Sequence, residues 1–177
     1  MPPVLTKIVS SLPTKAYRGV VYRHIPEGGD AVATSFSRSA GGRWNPLGEF
    51  GALYTTTVED DIEREMERAA EKRGITPKDL LPREIVTIAV SLHKVLDLTD
   101  PAILRAIKFN ADELTEETYE RTCDLARVVN KAGIEGIVVP SAIGRGKNLV
   151  IYTENLSSKS TVSEKRRRKV EFQVFAG

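Results

Sequence analysis

Residues 40–57, AGGRWNPLGEFGALYTTT, hold most of the groups in this chain that could do chemistry. Arg43 offers a planar, permanently charged fork that suits phosphate, and Gly41 and Gly42 let the backbone approach a ligand or take positive φ. Pro46 stops regular pairing, and Trp44, the one tryptophan of the chain, follows the arginine directly. Read by itself, the stretch is equally a tight turn between two edge strands with Trp44 plugging a core. The second candidate group is a carboxylate in residues 58–72, VEDDIEREMERAAEK. At about 100° per residue, Ile62, Met66 and Ala69 form the buried stripe of a helix there, and Glu65 lies at its border while Glu67 points away. Glu65 is therefore the carboxylate best placed to face a cleft. Glu63 flanks the other side and is weaker on this geometry, and most glutamates of the run are plain solvated charge. Arg18, Arg23 and Arg38 come from segments next to the glycine-rich stretch, where solvated strand-end charge is the commoner role.

Other chemistries are poorly supported. The two histidines, His24 and His93, have no Cys or carboxylate cluster at ligand spacing, so a metal site is disfavoured. The single cysteine, Cys123, excludes an internal disulfide framework and falls in an amphipathic stretch, where it reads as a small apolar residue. GRGK at 144–147 lacks the glycine spacing and the hydroxyl residue of a phosphate loop. With 177 residues, 41% hydrophobic content and a net charge of +2, the chain has the composition of an ordinary soluble domain with no overall pull towards nucleic acid or membrane. Its basic character is local, in SEKRRRKV near the C-terminus. No apolar run is long enough to span a bilayer and the first residues lack a secretory apolar core, so a cytoplasmic location is expected.

The elements that must position Arg43 and Glu65 follow from the pattern. Residues 1–15, with three prolines, read as a loosely attached arm with at most a short helical turn, and the domain proper as 16–177. YRGVVYRHI at 17–25 has strand composition, residues 52–56 form a short strand, and an acidic helix follows, ended by Gly74. EIVTIAVSL is a central strand with His93 after it, and Asp100 and Pro101 open a helix. TEETYERTCDLARVVNKAG is a helix with Thr115 as N-cap and Gly133 as C-cap. IEGIVVPSA and NLVIYT are strands joined by the loop IGRGK, and the basic run is a loop before a last strand within 157–177. Strands and helices succeed each other without regular alternation. The expectation is a mixed α+β domain with mainly antiparallel sheets and flanking helices, not a doubly wound sheet.

The ordered pieces VYRHI, SFS, GGRWNPLG, LYTT, the helix with Glu65, EIVTIAV with VLDLTD, GIEGIVVPSA and NLVIYT resemble the RES domain, the toxin half of a bacterial toxin–antitoxin pair, over residues 20–153. The arginine, glutamate and serine that name the family map onto Arg43, Glu65 and Ser141, with Tyr54 as a fourth polar site residue. The charged flanks DDIER depart from the alanine-rich run usual there and leave Glu63 open as the functional carboxylate.

The resemblance implies a fold similar to the ADP-ribosyltransferase toxins and an enzyme that consumes NAD by splitting the nicotinamide–ribose bond, with water or phosphate as acceptor. Transfer of ADP-ribose to a protein is the alternative within enzymes. NAD is then substrate and no cofactor or metal is needed. In these roles Glu65 stabilises positive charge on the ribose, Arg43 holds the pyrophosphate, Tyr54 stacks on nicotinamide or bonds the ribose, and Ser141 anchors a polar edge of the substrate or orients Glu65. Arg23 is a second phosphate contact. A helix-turn-helix antitoxin of the Xre type is the implied partner, with no membrane contact and with nucleic acid reached only through that complex. The reading from another class is a nucleic-acid-binding module built on the basic C-terminal run.

Overall fold

A computed structural model describes residues 3–143 and 146–171. Its centre is a ring of five strands: β1 (Lys15–Pro26), β2 (Leu53–Thr56), β5 (Lys147–Ile151), β4 (Gly136–Pro140) and β3 (Arg83–Asp97). The ring closes because β1 pairs with β3 from Lys15 opposite Val95 to Pro26 opposite Arg83, and with β2 through Tyr22 opposite Thr56. The other edge of β3 is shared by β4, opposite residues 95–97, and by β6 (Thr161–Lys169), opposite residues 84–91. Every pairing is antiparallel except β3 with β4. The α+β expectation with mainly antiparallel pairing therefore holds.

Alternation along the strands builds two cores. Val138, Leu149 and Ile151 join Val21, Leu53, Val86 and Ile88 in one cluster. Their neighbours Ile137, Val139, Val150 and Tyr152 face the opposite way, towards α4 (Pro101–Ile107) and α5 (Glu120–Lys131). Helix α1 (Pro3–Ser11) lies on this second layer with Val9 buried. The N-terminal segment is thus docked, not a loose arm, since its apolar residues complete the helical layer. Helix α3 (Asp61–Glu71) buries Ile62 and Met66 against Ile85 and Val170.

Four other points differ from the sequence reading. SFSRSA at Ser35–Ala40, a segment given no element above, is a short helix, α2. His93 lies inside β3, which runs on to Asp97, and its Nδ1 is 3.0 Å from the Ser160 hydroxyl. Thr115 does not open α5: its amide closes a 3-10 turn at Asp112–Leu114, and α5 begins five residues later. The basic run is itself strand β6, not a loop. Arg167 pairs with Glu84 and Glu164, Arg168 with Glu59 and Lys169 with Glu27, so three of the strand's cations are matched by carboxylates of neighbouring segments. The last strand expected beyond it falls largely in 172–177, outside the described residues, as do positions 144 and 145 of the IGRGK loop.

Candidate active site

The glycine-rich stretch folds into a turn closed by reciprocal backbone bonds between Gly42 and Asn45. Gly41 has φ of 66°, and a Cβ on Gly42 would sit 2.6 Å from the Tyr54 hydroxyl, so these two glycines let the turn form against β2. Asn45, fully buried, donates to the Ser37 and Phe50 carbonyls at 2.7 and 3.3 Å and accepts from the Tyr54 hydroxyl at 2.7 Å. That hydroxyl also accepts the Trp44 amide at 2.9 Å, and the Trp44 carbonyl accepts the Tyr152 hydroxyl at 3.1 Å. Trp44 is a core residue, 3% exposed. The backbone on either side of Arg43 is therefore fixed by buried hydrogen bonds.

The Arg43 side chain is fixed as well. Its Nη2 donates to the Thr115 carbonyl at 3.1 Å and its guanidinium lies 4.6 Å above the Tyr119 ring. Nη1 is buried without a hydrogen-bond partner. Burial lowers this arginine's pKa, so a charged group is being held partly out of water with one of its nitrogens unpaired.

Glu65 of α3 faces the same cavity, of about 490 Å³, which Gly42, Arg43, Tyr54 and Asn148 also line. Burial first, and Asp61 one turn earlier second, push the Glu65 carboxyl up to about 7, against a hydrogen bond with Asn148 that favours its charged form. Asn148 stands on β5 beside Thr56 of β2 and Val139 of β4, and its Oδ1 is buried without a partner. Arg68 and Lys72 continue α3 along the cavity wall, Arg68 donating to the Ala142 carbonyl at 3.3 Å and Lys72 to the Tyr119 hydroxyl at 3.4 Å. Glu63, by contrast, is exposed and lines no part of this cavity.

Of the residues expected from sequence, Arg43, Tyr54 and Glu65 come together in one cavity. Ser141 follows β4 at its rim: Pro140 and Ala142 line the cavity, Ser141 does not, and its Oγ accepts the Ile143 amide at 3.4 Å. Arg23 lies in an adjoining chamber that shares Gly41, Tyr54 and Glu65, and it donates to the Ala31 and Ala33 carbonyls. Tyr54 differs from expectation in one respect. Its hydroxyl is committed to the turn, which leaves the ring face as its contribution to the cavity, and burial raises its pKa. Sequence reasoning missed Asn148, Tyr119 and Thr115. A polar side chain at the start of the apolar run NLVIY was the available sign of Asn148, because buried amides need partners. No local pattern marks the other two.

The RES domain matches residues 20–173. The chain belongs to the RES domain family. The match runs past residue 153 and takes in β6. Curated relatives include the NAD(+) phosphorylase MbcT of Mycobacterium tuberculosis strain H37Rv and of Mycobacterium bovis, each 29% identical over 135 residues, which is 75% of this chain and 73% of the relative. The RES-domain chain also superposes on the crystal structure of the M. tuberculosis MbcT-MbcA toxin-antitoxin complex with a TM-score of 0.84 and 25% identity, covering 96% of this chain and 93% of that one.

Proposed function

We propose that this RES-domain protein is an NAD-consuming toxin that cleaves the bond between nicotinamide and ribose, with Glu65 as the catalytic carboxylate. One observation carries the reading. A carboxylate held near neutrality and a buried arginine nitrogen without a partner face one cavity. The similarity to NAD(+) phosphorylase MbcT supports it.

Cleavage builds positive charge on the ribose while the nicotinamide ring loses its own, so an adjacent carboxylate stabilises the transition state more than the ground state. Glu65 supplies that charge once ionised. Arg43 supplies its free Nη1 to the pyrophosphate, and the cations Arg68 and Lys72 extend the same wall. The Tyr54 ring offers a stacking face for nicotinamide. Ser141, at the rim, is placed to meet a polar edge of the substrate. In this reading the fold is of the ADP-ribosyltransferase type, and the protein acts in the cytoplasm. No helix among the described residues is long and apolar enough to cross a membrane. The partner is an antitoxin, as in the MbcT-MbcA complex, and it is of the helix-turn-helix Xre type.

Incubation with NAD labelled in the adenylate half tests the activity. Free ADP-ribose or its phosphate is the expected product; label retained on protein would move the assignment to protein ADP-ribosylation. Expression of the chain alone is expected to arrest growth, and co-expression of the antitoxin to relieve it.

A further inference from the structure

Glu65 sits on a helix, and the residue that bonds it belongs to a different element. Asn148 lies in β5 between Thr56 of β2 and Val139 of β4, so its backbone is held from both sides. Alternation along β5 sends Leu149 and Ile151 into the strand core and turns Asn148 and Val150 towards the larger cavity, which Glu65 also lines. A side chain on a strand paired at both edges is held more precisely than one on a loop.

The amide of Asn148 gives little to the fold. Its Oδ1 is buried without a hydrogen-bond partner, and a buried acceptor left unpaired costs stability. Leucine, of similar volume, would fill the same place at the head of the apolar run of β5 without that cost. What the amide does is donate to the Glu65 carboxylate, a bond that favours the charged form over the acid.

That bond stands against two effects. Burial and Asp61, one turn earlier on α3, both oppose ionisation of Glu65. Arg43, Arg68 and Lys72 line the larger cavity and Arg23, Arg73 and Arg83 the smaller chamber, with Tyr54, Tyr119 and His24 beside them. Yet among the described residues none of these cations forms an ion pair with Glu65.

We propose that Asn148 is a positioning residue that holds the charged carboxylate of Glu65 aimed into the larger cavity. The consequence for turnover rests on the NAD-cleaving reading; the hold on the carboxylate does not. Losing a donor that favours the charged form makes Glu65 harder to ionise, so a protein without this amide needs a higher pH to present the same charge. The groups assigned to binding NAD stay in place, which puts the loss in kcat and not in KM.

Two variants and two readouts on the purified protein test this. Asn148→Leu removes the amide, and Asn148→Asp keeps its shape while setting a second carboxylate beside the first, which opposes ionisation further. Without NAD, the carbon-13 resonance of the Glu65 carboxyl, identified by its absence from Glu65→Gln, is expected to titrate near pH 7 in the wild type and at higher pH in both variants. In turnover, the rise of kcat/KM with pH is expected to move up by about one pH unit in Asn148→Leu, the size of one hydrogen bond to a charged group, and further in Asn148→Asp. At pH 7 kcat is expected to fall about tenfold or more, with KM for NAD within about threefold of wild type. Should Asn148→Leu fail to fold, Asn148→Asp carries both readouts. A folded variant whose Glu65 titration and pH profile match the wild type overturns the proposal, and so does a loss of activity that is equal at every pH. A titration that moves in a protein leaving NAD intact upholds the hold on Glu65 and overturns the NAD reading instead.

Discussion

The Tyr54 hydroxyl accepts the backbone amide of Trp44 at 2.9 Å, so a residue of β2 fixes the turn that presents Arg43. Two buried polar groups depend on this one oxygen, the Trp44 amide and Asn45 Oδ1.

Tyr54→Phe leaves both groups unpaired. A loss of about 1–3 kcal/mol in unfolding free energy is expected by urea denaturation. The same variant loosens Arg43, so KM for NAD is expected to rise about tenfold with a smaller change in kcat. An unchanged KM would separate the turn from substrate binding.

Glu65→Gln is expected to be more stable than the wild type at alkaline pH. The Glu65 carboxyl is raised from 4.5 to about 7 in the folded state, so the folded protein holds a proton that the unfolded chain releases. Its contribution is neutral below the unfolded value, and stability then falls as pH rises from about 4.5 to about 7, where the full cost of about 3 kcal/mol is present. Thermal melts are expected to coincide for the two proteins at pH 4 and to favour the glutamine variant at pH 8. Activity has the opposite slope. The proposed role of Glu65 requires its ionised form, so kcat/KM is expected to climb through about pH 7.

Glu135 has the reverse sign. It accepts the His93 amide at 2.6 Å, the Ser157 amide at 2.9 Å and the Ser160 hydroxyl at 2.8 Å, tying β3 to the segment before β6. Burial raises its pKa, but these bonds outweigh burial and hold the carboxyl down at about 2. Its stabilisation is complete above about 4.5 and is lost as pH falls towards 2. Glu135→Ala is expected to cost about 1–3 kcal/mol at pH 7 and to flatten acid unfolding in that window, leaving the KM for NAD unmoved.

The residues assigned to the proposed site were legible where their local pattern was informative. Glycine spacing around Arg43, the strand character of LYTT and the border position of Glu65 on α3 each depend on neighbours within a few residues, and the fold keeps them. Asn148 and Arg83 were not legible because strand pairing brings them in, with Asn148 opposite Thr56 and Arg83 opposite Pro26. Thr115 read as a helix cap from its acidic followers, yet its carbonyl is the Arg43 acceptor across 72 positions of chain, a demand no local rule contains. The basic run read as a loop because its cations are consecutive. Partners from Glu27, Glu59 and Glu84 make a strand of them.

The central claim, that Glu65 and Arg43 together cleave NAD at the nicotinamide bond, is tested most directly by nicotinamide release from purified wild type, Glu65→Gln and Arg43→Ala, each checked for folding by circular dichroism. The wild type is expected to release nicotinamide, and both variants to fall by about a thousandfold or more while remaining folded. Release at the wild-type rate by a folded Glu65→Gln would contradict the account.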